Sequence, residues 1–210
     1  MKKKIANSLY KDIDNYYSNK LIKYGASPKG VDWNSEESQL VRFEQLSKII
    51  EEDSSTINDI GCGYGKYLEY LIKNNKKTYY KGYDISEAMI KEASRQFPKS
   101  EFYHINNLDE ISNAEYSISS GIFNVKMNYS DSEWLSYILS TLKQINIKSD
   151  NGFSFNVLTK YSEKNYMRDH LYYADPLFFF DFCRQNFSKN ISLIHDYNLY
   201  EFTILVKKKY

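Results

Sequence analysis

The segment Ile57-Asn58-Asp59-Ile60-Gly61-Cys62-Gly63-Tyr64-Gly65 gathers the residue types best suited to chemistry. Its alternating glycines let the backbone turn sharply and let a ligand approach main-chain atoms without meeting a side chain. Asp59 stands at the mouth of this turn. A second acid, Asp84, follows roughly 20 residues on, where a carboxylate is placed to accept hydrogen bonds from ribose hydroxyls. The dinucleotide fingerprint spaces its glycines as G-x-G-x-x-G, so that a helix N-terminus faces a pyrophosphate. Here the third glycine comes one residue early and Lys66 holds its place. A carboxylate beside a pyrophosphate repels it, whereas one beside a sulfonium or an α-amino group attracts it. Both departures point away from a nicotinamide dinucleotide.

Such a turn needs a strand before it and a helix after it, and the pattern supplies both. Thr56–Asp59 reads as a short strand, and Tyr67, Leu68, Leu71 and Ile72 fall on one face of the following helix. Tyr79–Tyr83 is a second strand, and Ser86 caps a helix carrying Met89, Ile90 and Ala93. Glu101–Ile105 and Tyr116–Ser119 are further strands. Trp134, Leu135, Ile138, Leu139 and Leu142 mark another helix, Phe153–Leu158 a fifth strand, and Asp175–Phe187 a last helix. Ile191–His195 and Tyr200–Val206 are separated by a link too short for a parallel crossover, so they pair antiparallel. Upstream, Leu9 to about Lys23 carries apolar residues at helical spacing, and Gly25-Ala26-Ser27-Pro28-Lys29-Gly30 is a loop of turn formers. Asn34 or Ser35 caps a helix with Leu40, Phe43, Leu46 and Ile50 as its buried stripe. The expected organisation is an N-terminal helical extension or lid over residues 1–50 and an α/β unit over 51–210.

Composition narrows the function classes. The 210 residues carry 28 basic and 27 acidic side chains, so no overall field draws a nucleic-acid backbone. Cys62 and Cys183 cannot form a disulfide framework, no Cys-x-x-Cys pair is present, and no metal site is expected. The basic start Met1–Lys4 is followed by polar and acidic residues, and Pro176–Phe180 is far shorter than a membrane span of about 20 residues. A cytoplasmic protein without membrane insertion is expected. The 21 tyrosines and 12 phenylalanines fit either codon bias or a tyrosine-rich pocket.

The motifs themselves resemble those of the class I S-adenosylmethionine-dependent methyltransferases. Asp59-Ile60-Gly61-Cys62-Gly63-Tyr64-Gly65 is similar to their first motif and Gly82-Tyr83-Asp84-Ile85-Ser86 to their second. The resemblance implies a Rossmann-like, seven-stranded, mainly parallel sheet with an antiparallel last strand and helices on both faces. It implies S-adenosyl-L-methionine as cofactor, held by Asp59, Gly61, Cys62, Gly63, Tyr64, Gly65, Asp84, Ile85, Met89 and Ser120. The residue after the third strand, which reads the adenine in that family, falls at Asn106 or Asn107. Gly30-Val31-Asp32-Trp33, Ser120–Val125, Tyr172–Pro176 and His195-Asp196-Tyr197 further resemble a group of small bacterial methyltransferases, loosely associated with surface-glycan or flagellin modification.

The acceptor side follows from the rule that ligands of open α/β sheets bind beyond the carboxyl ends of the strands. Candidates there are Asn124, Tyr161 and Tyr197, joined from the N-terminal segment by Tyr17, Tyr24, Trp33 and Arg42. For each aromatic, core packing is the competing reading; Arg42 is either a bidentate clamp for an acidic acceptor or a surface charge. Ser120-Gly121-Ile122-Phe123-Asn124 lacks the prolines that mark amino-methylation of DNA or glutamine. His195 is the candidate general base, with a purely strand-terminating role as its alternative. The expected reaction is methyl transfer to oxygen or nitrogen of a small-molecule or glycan-linked acceptor. A cofactor-binding protein without turnover and an NAD-linked oxidoreductase are the alternatives.

Overall fold

A computed structural model describes the backbone of residues 2–209 and the side chains of 8–209. Seven strands form one sheet: β1 (Ser55–Ile60), β2 (Thr78–Asp84), β3 (Glu101–His104), β4 (Ala114–Ser119), β5 (Ser149–Leu158), β6 (Asn190–Ile194) and β7 (Glu201–Lys207). Their order is β3-β2-β1-β4-β5-β7-β6. All neighbours pair parallel except β7, which runs antiparallel to both β5 and β6. The order reverses between β1 and β4, so the loops leaving these two strands diverge and open a crevice at their carboxyl ends.

Six helices flank the sheet: α1 (Lys2–Tyr24), α2 (Glu36–Ser47), α3 (Lys66–Lys73), α4 (Glu87–Gln96), α5 (Asp131–Lys148) and α6 (Pro176–Asn186). Their starts are written locally. Ser35 accepts from the Ser38 backbone N–H to cap α2, Ser86 accepts from Met89 N to open α4, and Ser130 and Glu133 form a reciprocal capping box on α5. Asp175 caps α6 with Pro176 in its first turn.

Two apolar clusters cover the two faces. One is built on Phe153, Phe155 and Trp134 beneath α5 and α6; the other gathers Phe43, Leu46, Tyr67 and Leu71 of α2 and α3. The expected N-terminal extension therefore divides in two. α2 is part of the helical layer, resting on β5 and β7, whereas α1 lies across α4. Two stripe residues turn outward: Leu40 and Ile72 are exposed. On α2 the buried face runs instead through Gln39, Phe43 and Leu46, a polar residue occupying the first position of an apolar stripe. β5 begins four residues earlier than the expected Phe153, directly at the end of α5.

Candidate active site

The crevice is built from the β1 loop outward. Gly61 N and Cys62 N both donate to Tyr83 O, at 2.8 and 3.1 Å, which fastens the turn to the end of β2. Gly61 has φ +76°, and a Cβ there would stand 2.2 Å from Ile122, so only glycine lets the β1 and β4 loops meet. Gly65 takes φ +87° as the residue that opens α3.

The two acids are held differently. Asp84 accepts from Gly63 N through Oδ2 and from Ser86 N through Oδ1, each at 2.8 Å. Burial pushes its carboxyl up, and these backbone donors oppose the push. Asp59 is 2 % exposed and accepts from the Tyr80 hydroxyl at 2.7 Å. Burial pushes Asp59 up to about 7, against the Tyr80 hydrogen bond and with some help from the Asp84 charge.

A cavity of about 980 Å³ opens over these groups. Asp59 to Tyr64, Asp84, Ile85 and Met89 line one part, and Ile105 and Leu108 border it. Ser120, Gly121 and Ile122 close it from the β4 side. Tyr10, Ile13 and Tyr17 of α1 cover it, with Tyr137 and Thr141 of α5 behind them. Six tyrosines reach this wall. The lining has one cation, Lys66, whose Nζ is held by Glu36 and Glu69 at 2.8 and 2.7 Å. Gln39 Oε1 and Ser120 Oγ, buried on the wall, have no hydrogen-bond partner, and the Tyr64 and Thr141 hydroxyls face only the Gln39 amide and Tyr137. Buried polar atoms are otherwise almost always paired, so these mark places that a polar ligand would satisfy.

The structure brings most of the expected cofactor residues together. Gly65 stands just behind the wall, packed against Phe97 and Phe102. Asn106 and Asn107 do not line the cavity. Asn107 caps the short turn that follows by accepting from Asp109 N, and both asparagines bond Glu110. The wall at that level is Ile105 and Leu108, the apolar residues on either side of the pair.

Of the acceptor candidates, Tyr17 and Trp33 line the cavity. Arg42 does not: its guanidinium stacks on the Trp33 ring at 3.8 Å and pairs with Glu201, which is fully buried. It therefore has no free fork for an acidic acceptor. Asn124 is spent on the Leu158 backbone N–H, Tyr197 shares a hydrogen bond with Thr203, and Tyr24 and Tyr161 are exposed away from the wall. His195 also stands apart. It is an exposed residue between Tyr161 and Phe202 at the end of β6. β6 is the outermost strand, four positions from β1 and thus roughly 19 Å across the sheet.

Gln39, Tyr10 and Thr141 escaped the sequence reading. Gln39 carried a signal, since it shares a helix face with Phe43 and Leu46; Tyr10 and Thr141 sit on helices whose periodicity alone does not say which turn reaches the site.

Comparisons with known proteins agree with this geometry. Residues 58–146 match the sequence profile of a family described as Methyltransferase domain. Rv1506c of Mycobacterium tuberculosis, a protein named as a methyltransferase, is 48% identical over 159 residues, 74% of this chain and 95% of that protein. Among solved structures, the plantazolicin methyltransferase BpumL, in complex with a triazolic desmethylPZN analog and SAH, superposes with a TM-score of 0.62 at 14% identity, over 100% of both chains. Human N-acetylserotonin methyltransferase in complex with SAM gives 0.59 at 12% identity, covering 90% of this chain and 62% of that one. The chain belongs to the class I S-adenosylmethionine-dependent methyltransferases, and its cofactor is S-adenosyl-L-methionine. Among the described residues no helix is long and apolar enough to cross a membrane.

Proposed function

We propose that this protein transfers a methyl group to oxygen or nitrogen of a small-molecule or glycan-linked acceptor inside the cavity at the β1–β4 divergence. One observation carries the reading. The glycine turn, Asp59 and Asp84 converge on a single cavity whose wall offers unpartnered polar atoms.

Bound there, the cofactor supplies a sulfonium-activated methyl group. The protein's own work is alignment and exclusion of water, because methyl transfer is a direct displacement. Asp84, fixed by two backbone donors, keeps lone pairs free for ribose hydroxyls. Asp59 places a carboxylate toward the cationic end, where low dielectric strengthens attraction. Ile85, Met89, Ile105 and Leu108 form an apolar slot for a flat base. Tyr10 and Tyr17 of α1 cover the space and keep it dry.

Calorimetric titration with S-adenosylmethionine, S-adenosylhomocysteine and NAD, on wild type and Asp84→Ala, tests the assignment. The expected result is binding of both adenosyl ligands, lost by at least tenfold in the variant, with no binding of NAD. Preference for NAD would overturn it. Adenosyl binding without formation of S-adenosylhomocysteine across an acceptor panel would leave a binding protein in place of an enzyme.

A further inference from the structure

Residues 31–33 cross the site as a strap. Val31 lies over Gly63, and the Trp33 ring sits so close to Gly121 that a Cβ there would fall 2.2 Å from it. Between them, Asp32 has φ +60° and is gripped by the Tyr16 hydroxyl and the Lys20 ammonium of α1. Arg42 stacks on Trp33 from α2. The indole is thus a flat wall ordered in advance, which lowers the entropy cost of stacking a ring against it.

We propose that the compartment framed by Trp33, Gln39, Phe43 and Tyr64 is the acceptor subsite, and that it takes an uncharged ring bearing a hydroxyl group. The proposal rests on the methyltransferase reading. Gln39 is 1 % exposed with its Oε1 unpartnered, and its amide faces the neighbouring Tyr64 hydroxyl. A hydroxyl donates and accepts at once, so it fits between an amide oxygen and a phenol. A carboxylate or phosphate would turn lone pairs toward Gln39 Oε1 and find no free cation, since Lys66 is already paired. A cationic acceptor would share the cavity with the sulfonium and be repelled by it. The cavity wall runs on from the β1 and β2 loops to Trp33, Gln39 and Phe43, which leaves a place for a second molecule beside the cofactor.

The hydroxylated ring could be a phenol or a neutral sugar, and the test separates these. The protein is saturated with S-adenosylhomocysteine and titrated calorimetrically with 2-naphthol, methyl glucoside and their charged counterparts 2-naphthoate and methyl glucuronide. At least one neutral ring is expected to bind tenfold or more tightly than its charged counterpart. Gln39→Leu should weaken that binding at least fivefold while the S-adenosylhomocysteine affinity stays within twofold. Should the Leu variant melt early, Gln39→Met preserves the side-chain length and takes its place. Equal or tighter binding of a charged ring, or no binding of either neutral ring, would overturn the proposal. So would a loss of S-adenosylhomocysteine affinity in the Gln39 variants, which would assign Gln39 to the cofactor. Failure of wild type to bind S-adenosylhomocysteine would strike the earlier reading instead.

Discussion

On the proposed reading Asp59 ties cofactor affinity to pH, and the size of the effect follows from its burial. In the free protein its carboxyl titrates at about 7. A bound cofactor brings positive charge to the same cavity and favours the carboxylate, lowering the group's pKa toward its ordinary value. Binding then releases a proton below pH 7, so affinity rises with pH. For a complete fall from about 7 to the ordinary value of about 3.9, linkage gives at most roughly a sixteenfold tighter Kd at pH 7.0 than at pH 5.5. The α-amino group of the ligand, with a pKa near 8, stays protonated across this window. Calorimetry with S-adenosylhomocysteine in two buffers of different ionisation enthalpy reads both Kd and the proton count. In Asp59→Asn the slope should vanish. A wild-type Kd that moves by less than twofold, or an Asn variant that keeps the slope, would refute the reasoning. The same group has a stability signature. Its folded pKa lies above the unfolded value of about 3.9, so folding binds an extra proton between these limits and stability falls as pH rises through them. Asp59→Asn should therefore stabilise the ligand-free protein at pH 8, by at most about 4 kcal/mol, and not at pH 4.

Further outcomes follow from contacts already described. Gly121→Ala should drive Trp33 from its place, weakening ring binding and costing about 1–2 kcal/mol for a side chain at φ +75°, read by urea denaturation and tryptophan emission. Glu201→Gln should cost about 3–5 kcal/mol by leaving Arg42 buried without its partner, whereas the double change Arg42→Met with Glu201→Leu should cost less; a chemical-denaturation cycle measures both. Leu108→Ala should weaken S-adenosylhomocysteine binding several-fold, while Asn106→Ala and His195→Ala leave it within about twofold in the same titration.

The sheet and its reversed strand were legible because the signals are local. Alternating apolar runs, serine and aspartate caps and a four-residue link between the last strands need no tertiary knowledge. The first half of β5 was not. Ser149-Asp150-Asn151-Gly152 reads as a turn, yet Gly152 is required where Val206 O and Ile49 crowd the backbone, and Ser149 is buried against Ser117. The glycine turn was readable for the same local reason. Arg42 was not, because its partner Glu201 is far away in sequence. Asn106 and Asn107 were misleading because an asparagine after a strand serves a turn as readily as a ligand. His195 carries the right chemistry on the wrong strand, and nothing in its neighbourhood reveals that β6 lies at the edge.

The Arg42–Glu201 pair continues inward: Glu201 accepts from Asn156 Nδ2, and Asn156 Oδ1 accepts from Gly121 N, at 2.7 and 2.8 Å. This chain joins α2, β7, β5 and the loop that faces the ligand. On the ribosome it has a consequence of timing. Arg42 emerges about 160 residues before Glu201, a wait of roughly 8–30 s at 5–20 residues per second. Until β7 slides between β5 and β6, the arginine has no counter-ion and Asn156, which holds Gly121 N, lacks the carboxylate that orients its amide. The support behind the ligand cavity therefore includes a strand from the far end of the chain. A nascent chain carrying every motif residue would still wait for the strand that none of those motifs occupies.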